Sequence, residues 1–312
     1  MSSILMGGSK VWNTGFRYIT FIMKKRLRLL RTNLRKLTAF YASRKVVTPY
    51  TGFILSTHFL SEDIEEGNLR YLNVFSKNIK FTNFEDSTPK VIYLQTNQLS
   101  EFILNYLDRI NSEFTLITGR DHWSKLEYSA DMYRILSNPN LRSWFSQNMI
   151  LKELPIKHFP YGVNLNNAFR ILLKKKLIGK YQRSDQICIP FCTVHEKNDE
   201  KWQPDILAAM TARKSISMRM NRQKKYSEYL DDLLKHKLIV SPVGDRPDTY
   251  RHWEILALGG IPISNLPANF KDLFATHAYI VKDFKQLTSL DHLYYPNPDI
   301  ASVNYWRRNL KR

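Results

Sequence analysis

Short apolar runs alternate with amphipathic stretches along most of the chain. Val91-Ile92-Tyr93-Leu94 and Phe114-Thr115-Leu116-Ile117-Thr118 read as strands. Between them, Leu99 to Ile110 reads as a helix turning Leu99, Phe102, Ile103 and Tyr106 inward. Two strands joined by a helix of this length form a right-handed parallel unit, and the sheet is expected to be doubly wound. Further on, Ile135 to Asn148 has helical spacing. Leu154 to Val163 alternates like a strand entering a loop, and Phe169 to Tyr181 reads as a basic helix. The alternation then resumes with a strand at Ile187 to Phe191, helical material from Pro204 to Lys235, and a short buried strand at Leu238 to Val240. A turn rich in Pro and Gly, Ser241 to Pro247, leads into a helix from Asp248 to Leu258 that Gly259 stops. Ile261-Pro262-Ile263 and a last strand, Ala278 to Val281, complete the pattern.

This alternation predicts an α/β protein with two doubly wound, Rossmann-like domains. The expected divisions are a basic arm at 1–45, a first domain at 46–180, a second at 181–298, and a closing helix at 299–312 packed back on the first. A length of 312 residues is ample for two cores.

The arm has its own pattern. Met23 to Tyr41 places Leu27, Leu30, Leu34 and Leu37 on one side of a helix, with basic residues around the rest. Such a helix can lie on an anionic membrane or pack on the first domain as a surface helix. Val11 to Met23 is interrupted by Asn13, Thr14, Gly15 and Arg17 and falls short of the ~20 residues that span a bilayer. Its positive charges follow the apolar run, opposite to a cleavable signal, so neither signal peptide nor anchor is expected. Cys188 and Cys192 lie too far apart on an extended segment to bridge, and no Asn-X-Ser/Thr sequon occurs. An intracellular location is expected.

The formal net charge of +19 calls for anionic company: nucleic acid, a membrane surface or a phosphorylated donor. Zinc-finger spacing, an aromatic sheet signature and a recognition-helix pattern are all missing, which argues against specific nucleic-acid binding.

The candidate chemistry centres on the strand-turn-helix at residues 238–258. Asp248 is placed to cap the first turn of the helix, whose positive end suits a phosphate. Arg251 can grip a diphosphate with its two-pronged guanidinium, and Glu254, one turn deeper, can accept from a ribose hydroxyl pair. Asp248, Arg251 and Glu254 are expected on one flank, away from the packed face of Trp253, Leu256 and Ala257. The plainer alternative is a solvated Arg251–Glu254 pair beside an ordinary turn. Asp121 and His122, following the second strand, are the candidates for a general base, and each could equally be an ordinary loop residue. Arg213, Lys214, Arg219 and Arg222 are further cations, one of which can reach donor phosphates.

Ser241, Pro242, Gly244, Asp248, Arg251, Glu254, Leu256, Gly260, Ile261 and Pro262 stand where the exostosin-like glycosyltransferases of family 47 carry their C-terminal signature, and the string resembles it. Leu116 to Asp121, Asn138 to Asn148 and Pro155-Ile156 are similar to earlier blocks of one branch of that family. The chain departs from it where Tyr161-Gly162 stands in place of a compact Pro-Ile-Gly. The resemblance implies a GT-B fold with the two domains facing across a cleft. It also implies inverting transfer of a sugar from a UDP- or GDP-sugar to a glycan or glycoconjugate hydroxyl. Ser241, Gly244, Asp248, Arg251, Glu254 and Arg219 would then contact the donor, with no bound cofactor and no metal expected. The rival expectation is a non-catalytic GT-B-like scaffold, or a protein that binds nucleic acid or an anionic surface. A phosphorylase or epimerase on the same architecture is a third.

Overall fold

The computed structural model describes residues 8–59, 89–119, 129–147, 153–189, 216–218, 225–244, 247–274, 276–284 and 297–310. Within them the chain forms two parallel sheets of five strands each. The first comprises β1 (His58–Phe59), β2 (Lys90–Gln95), β3 (Phe114–Gly119), β4 (Leu141–Ser146) and β5 (Ile156–His158). The second comprises β6 (Ile187–Ile189), β7 (Ile216–Met218), β8 (Leu238–Val240), β9 (Ile261–Ser264) and β10 (Tyr279–Ile280).

The period-two pattern of the first sheet sends successive side chains to opposite faces. Ile92, Leu94, Leu116 and Trp144 meet α3 (Leu99–Asn105) and α4 (Ala130–Leu136) through Phe102, Ile103, Met132 and Ile135. On the other face Tyr93, Ile117 and Phe145 join a core reaching the end of α1 (Gly8–Ser43), α2 (Thr51–Leu55) and α5 (Leu165–Lys175). The strands follow one another across this sheet in chain order. Right-handed crossovers in that order all fall on one face, so the opposite face is closed by segments from outside the crossovers. The double winding expected of the first domain is therefore absent from its described strands. The second sheet has it: the order β7-β6-β8-β9-β10 reverses direction between β6 and β8.

Three local expectations are also corrected. Helical spacing across Ile135 to Asn148 gives way to α4 followed by β4, because Pro139 lacks an N–H and drives Asn138 out of the helical region. Asn138 Oδ1 then accepts from the Asn140 amide at 2.9 Å and turns the chain. The basic helix begins earlier and ends earlier than Phe169 to Tyr181, starting after Asn164, whose side chain caps it. Within the stretch read as helical from Pro204 to Lys235, the structure has β7 before α6 (Tyr226–Lys235).

One hydrophobic core runs from the first sheet through α5 to α6, β8 and α7 (Tyr250–Ala257). Leu165, Ala168 and Ile171 are the buried residues of α5, and its Lys174 pairs with Asp231 on α6. Gly162, at φ 79°, sits so close to the segment after α1 that a Cβ would lie 2.4 Å from the Val47 carbonyl. Past α8 (Lys271–Phe274), a 3-10 turn at Pro298–Ala301 and α9 (Val303–Asn309) end the described chain. The Val47 amide donates to the Ala301 carbonyl at 2.9 Å, and the Trp306 ring lies edge-on 5.4 Å from Phe159.

Candidate functional site

Strand order reverses between the paired strands β6 and β8, and in sheets of this kind ligands collect beyond the carboxyl ends of the strands at such a point. The turn of residues 241–244 leaves β8 at that place. The Ser241 amide continues the ladder by donating to the Ile263 carbonyl at 2.8 Å. Its hydroxyl is fully buried and has no hydrogen-bond partner among the described residues. The Val243 amide donates to Asn265 Oδ1 at 3.0 Å, which pins the turn to the end of β9. At Gly244 a Cβ would stand 3.2 Å from Thr249 Cγ2, a close approach that keeps the turn tight against the helix start.

The helix begins later than Asp248. Thr249 is the N-cap, and its amide donates to His252 Nδ1 at 3.0 Å. A ring nitrogen that accepts carries no proton, so the other one, Nε2, donates to Ser264 Oγ at 2.7 Å. His252 thus clamps the first turn of α7 to the end of β9. It is fully buried, and burial first, then the neighbouring Arg251 charge, push its pKa down to about 3. It is neutral throughout the physiological range.

Asp248 is displaced from its expected capping role into the core. Its Oδ2 accepts from the Tyr161 amide at 2.9 Å and from the Trp253 indole at 3.2 Å. The bond to Tyr161 joins the segment after β5 to the segment after β8. The Tyr161 and Tyr250 rings pack 5.0 Å apart beside it, and their hydroxyls lie 3.2 Å from each other.

Glu254 does not leave the packed side together with Arg251. It is 6% exposed, and its oxygens accept from the Tyr226 hydroxyl at 2.7 Å and the Tyr229 hydroxyl at 2.8 Å. The reason is α6, which lies over that flank of α7 and supplies both tyrosines. Burial raises the carboxyl pKa, outweighing the two hydroxyl bonds and the Arg251 charge that oppose the rise. Arg251 is half-buried, and no hydrogen bond or ion pair holds its guanidinium among the described residues.

A raised carboxyl pKa means that the unfolded chain ionises first as pH rises, so Glu254 costs stability from its ordinary value of 4.5 upward to its folded value and beyond. The Glu254→Gln variant escapes that cost. Its stability relative to the wild type is expected to rise between about pH 5 and about pH 8, read from urea unfolding at both.

Ser241, Gly244, Asp248, Arg251 and Glu254 are thus gathered on one strand-turn-helix unit, and three of them, Ser241, Asp248 and Glu254, are buried. Asp121, His122 and Arg219 lie outside the described residues, as do Arg213, Lys214 and Arg222. The residues that sequence reasoning missed are His252, Tyr161, Tyr226 and Tyr229. Only His252 carried a local signal, standing three places after Thr249 as the second partner of a capping box does. The chain matches no protein-family model, and no curated protein matches it.

Proposed function

We propose that the protein is a glycosyltransferase that moves a sugar from a nucleoside diphosphate donor to a glycan hydroxyl. The observation that carries the reading is that the turn of Ser241 and Gly244 and the helix start bearing the half-buried Arg251 both follow β8, beside which the order of the second sheet reverses. A diphosphate suits the arginine, because its oxygens accept from the two parallel N–H groups of a guanidinium, whereas Ser241, fully buried, reaches it only if the turn shifts. Support for a GT-B-like arrangement comes from where the two sheets touch. The segment after β5, at the carboxyl edge of the first sheet, meets the start of α7, at the carboxyl edge of the second, through Tyr161 and Asp248. The His158 and Phe270 rings, 4.2 Å apart, lie in the same junction.

In this reading the acceptor oxygen attacks the anomeric carbon, and its proton passes to a base. The bond from that carbon to the diphosphate breaks, with the electron pair leaving on phosphate oxygen. Asp121 or His122, after β3, is the proposed base. Arg251 and the backbone of the turn meet the charge that grows on the leaving group, and they do so without reorganising. The Asp248 carboxylate is spent on Tyr161 and Trp253, so its part is to hold the junction. Glu254 keeps spare lone pairs beyond its two tyrosine bonds, but at 6% exposure it meets a ribose only if α6 shifts. In the state described it steadies the flank beside Arg251.

The test is release of UDP or GDP from a panel of sugar nucleotides in the presence of glycan acceptors. One donor is expected to be turned over, with Arg251→Ala lowering kcat/KM by about 100-fold, the usual cost of removing one preorganised donor. A scaffold releases no nucleotide above background, and a chain whose turnover ignores Arg251→Ala does its chemistry elsewhere.

A further inference from the structure

The first helix presents an exposed apolar stripe. Met23, Leu27, Leu30, Leu34, Leu37 and Tyr41 recur at alternating steps of four and three, so they line one side of α1. All six are exposed, from 50% at Leu27 to 67% at Leu30. Where α1 packs on the body it does so with another side: Ala42 and Ser43 are buried and Ala39 and Phe40 partly so, while Leu37 and Tyr41 in the same turns point to solvent. The stripe is therefore not a core face. It extends about 27 Å from Met23 to Tyr41 at the rise of an α-helix.

The charge around the stripe selects its occupant. Lys24, Arg26, Arg28, Arg31 and Arg35 surround it, and no Asp or Glu occurs before Glu62. A second copy of the helix is a poor fit, because the four-three spacing puts Lys24, Arg26 and Arg31 at the flanks of any coiled-coil seam. Parallel pairing then sets Arg26 against Arg31, and antiparallel pairing sets Lys24 and Arg31 against their counterparts. A surface with apolar depth and negative charge satisfies both features. We infer that residues 23–41 form a docking surface for an anionic lipid bilayer, with the leucine stripe sunk among the acyl chains and the basic flanks at the headgroups. No described helix is long and apolar enough to cross a membrane, so the contact is with one leaflet. Through α1 the rest of the protein would be held at the bilayer, a role separate from the donor site on α7.

The experiment is flotation of the full chain with phosphatidylcholine vesicles and with vesicles containing about one-third phosphatidylserine, at low and high salt. The wild type is expected to float with the anionic vesicles, less so at high salt, and to stay behind with the neutral ones. The double variant Leu30→Asp/Leu34→Asp, at exposed positions that touch no core, should lose at least about tenfold in partitioning while keeping the wild-type unfolding midpoint. Its charge-only counterpart Lys24→Gln/Arg28→Gln/Arg31→Gln should lose binding to a similar degree. Failure to float with either vesicle overturns the inference. So does binding that ignores the leucine substitutions, which would mark general attraction to polyanions. Light scattering that shows a dimer broken by Leu30→Asp/Leu34→Asp overturns it too, in favour of self-pairing. None of these readouts depends on sugar transfer.

Discussion

Acidification is expected to unfold this protein through His252. The ring is neutral and enclosed in the native state, with a pKa of about 3, whereas in the unfolded chain it takes a proton near its ordinary 6.5. Between those values the unfolded state binds more protons than the native one, so stability falls as pH falls. The difference amounts to about 5 kcal/mol once pH is below both values, and roughly 3 kcal/mol is already lost near pH 4.5. Native proteins have only about 5–15 kcal/mol in hand, so one residue removes a large share. Urea unfolding at a series of pH values from about 7.5 to about 4.5 reads the slope directly. Glu254, two residues along the same helix, works in the opposite direction, since its cost shrinks as pH falls toward 4.5. Combining the series with Glu254→Gln isolates the histidine. That background should steepen the acid loss, and His252→Gln, which can still accept from Thr249 and donate to Ser264, should flatten it. In the Glu254→Gln background, a stability that stays level down to about pH 4.5 would show that the ring is solvated or protonated in the native state.

Local chemistry explains which parts of this architecture could be read in advance. β2 and β3 were legible because both of their faces are largely buried, so apolar residues crowd together along them from Val91 to Leu94 and from Phe114 to Ile117, and Gly119 stands only at the very end of β3. The end of α7 was legible for a stereochemical reason: Gly259 takes φ 74°, which other residues rarely adopt, and its amide closes the last turn on the Leu256 carbonyl at 2.9 Å. β4 was misread because Leu141, Trp144 and Phe145 have the three-and-four spacing of a helix face. In the structure Trp144 and Phe145 go to opposite faces of the sheet, into separate clusters. β7 was hidden because Ile216-Ser217-Met218 is too short to establish a period amid polar and basic neighbours.

The features that escaped entirely are non-local. Nothing in the first half of the sequence encodes the order of its strands in a form that a window of residues can show, so double winding was inferred from one βαβ unit and extended too far. Glu254 illustrates the same limit at the site. Its position three residues after Arg251, and the helix flank that this spacing implies, are legible in the sequence. Whether that flank meets water is decided by α6, and the pairing of Tyr226 and Tyr229 with one carboxylate depends on a contact across more than twenty residues of chain. The arm shows the converse: its leucine stripe and basic flanks were plain in the sequence, and the structure adds that the stripe is exposed among the described residues.

Asp248→Ala is expected to loosen the join between the two sheets and to cost about 4 kcal/mol. The estimate follows from what the substitution leaves behind: the Tyr161 amide and the Trp253 indole N–H both lose their acceptor in an interior that water does not reach, and each orphaned donor costs about 1–3 kcal/mol. Asp248→Asn keeps a side-chain oxygen at nearly the same place and should cost less than half as much. Because Tyr161 follows β5 and Asp248 follows β8, the damage should concentrate between the sheets. Amide exchange at Tyr161 is expected to accelerate far more than exchange at Ile92 or Leu116, inside the first sheet, while the global unfolding midpoint drops. If transfer chemistry takes place where those two edges meet, Asp248→Asn should also lower kcat with little change in donor affinity, since Ser241 and Arg251 are left in position. Equal acceleration of exchange throughout both sheets would place Asp248 in the general core and remove it from the junction.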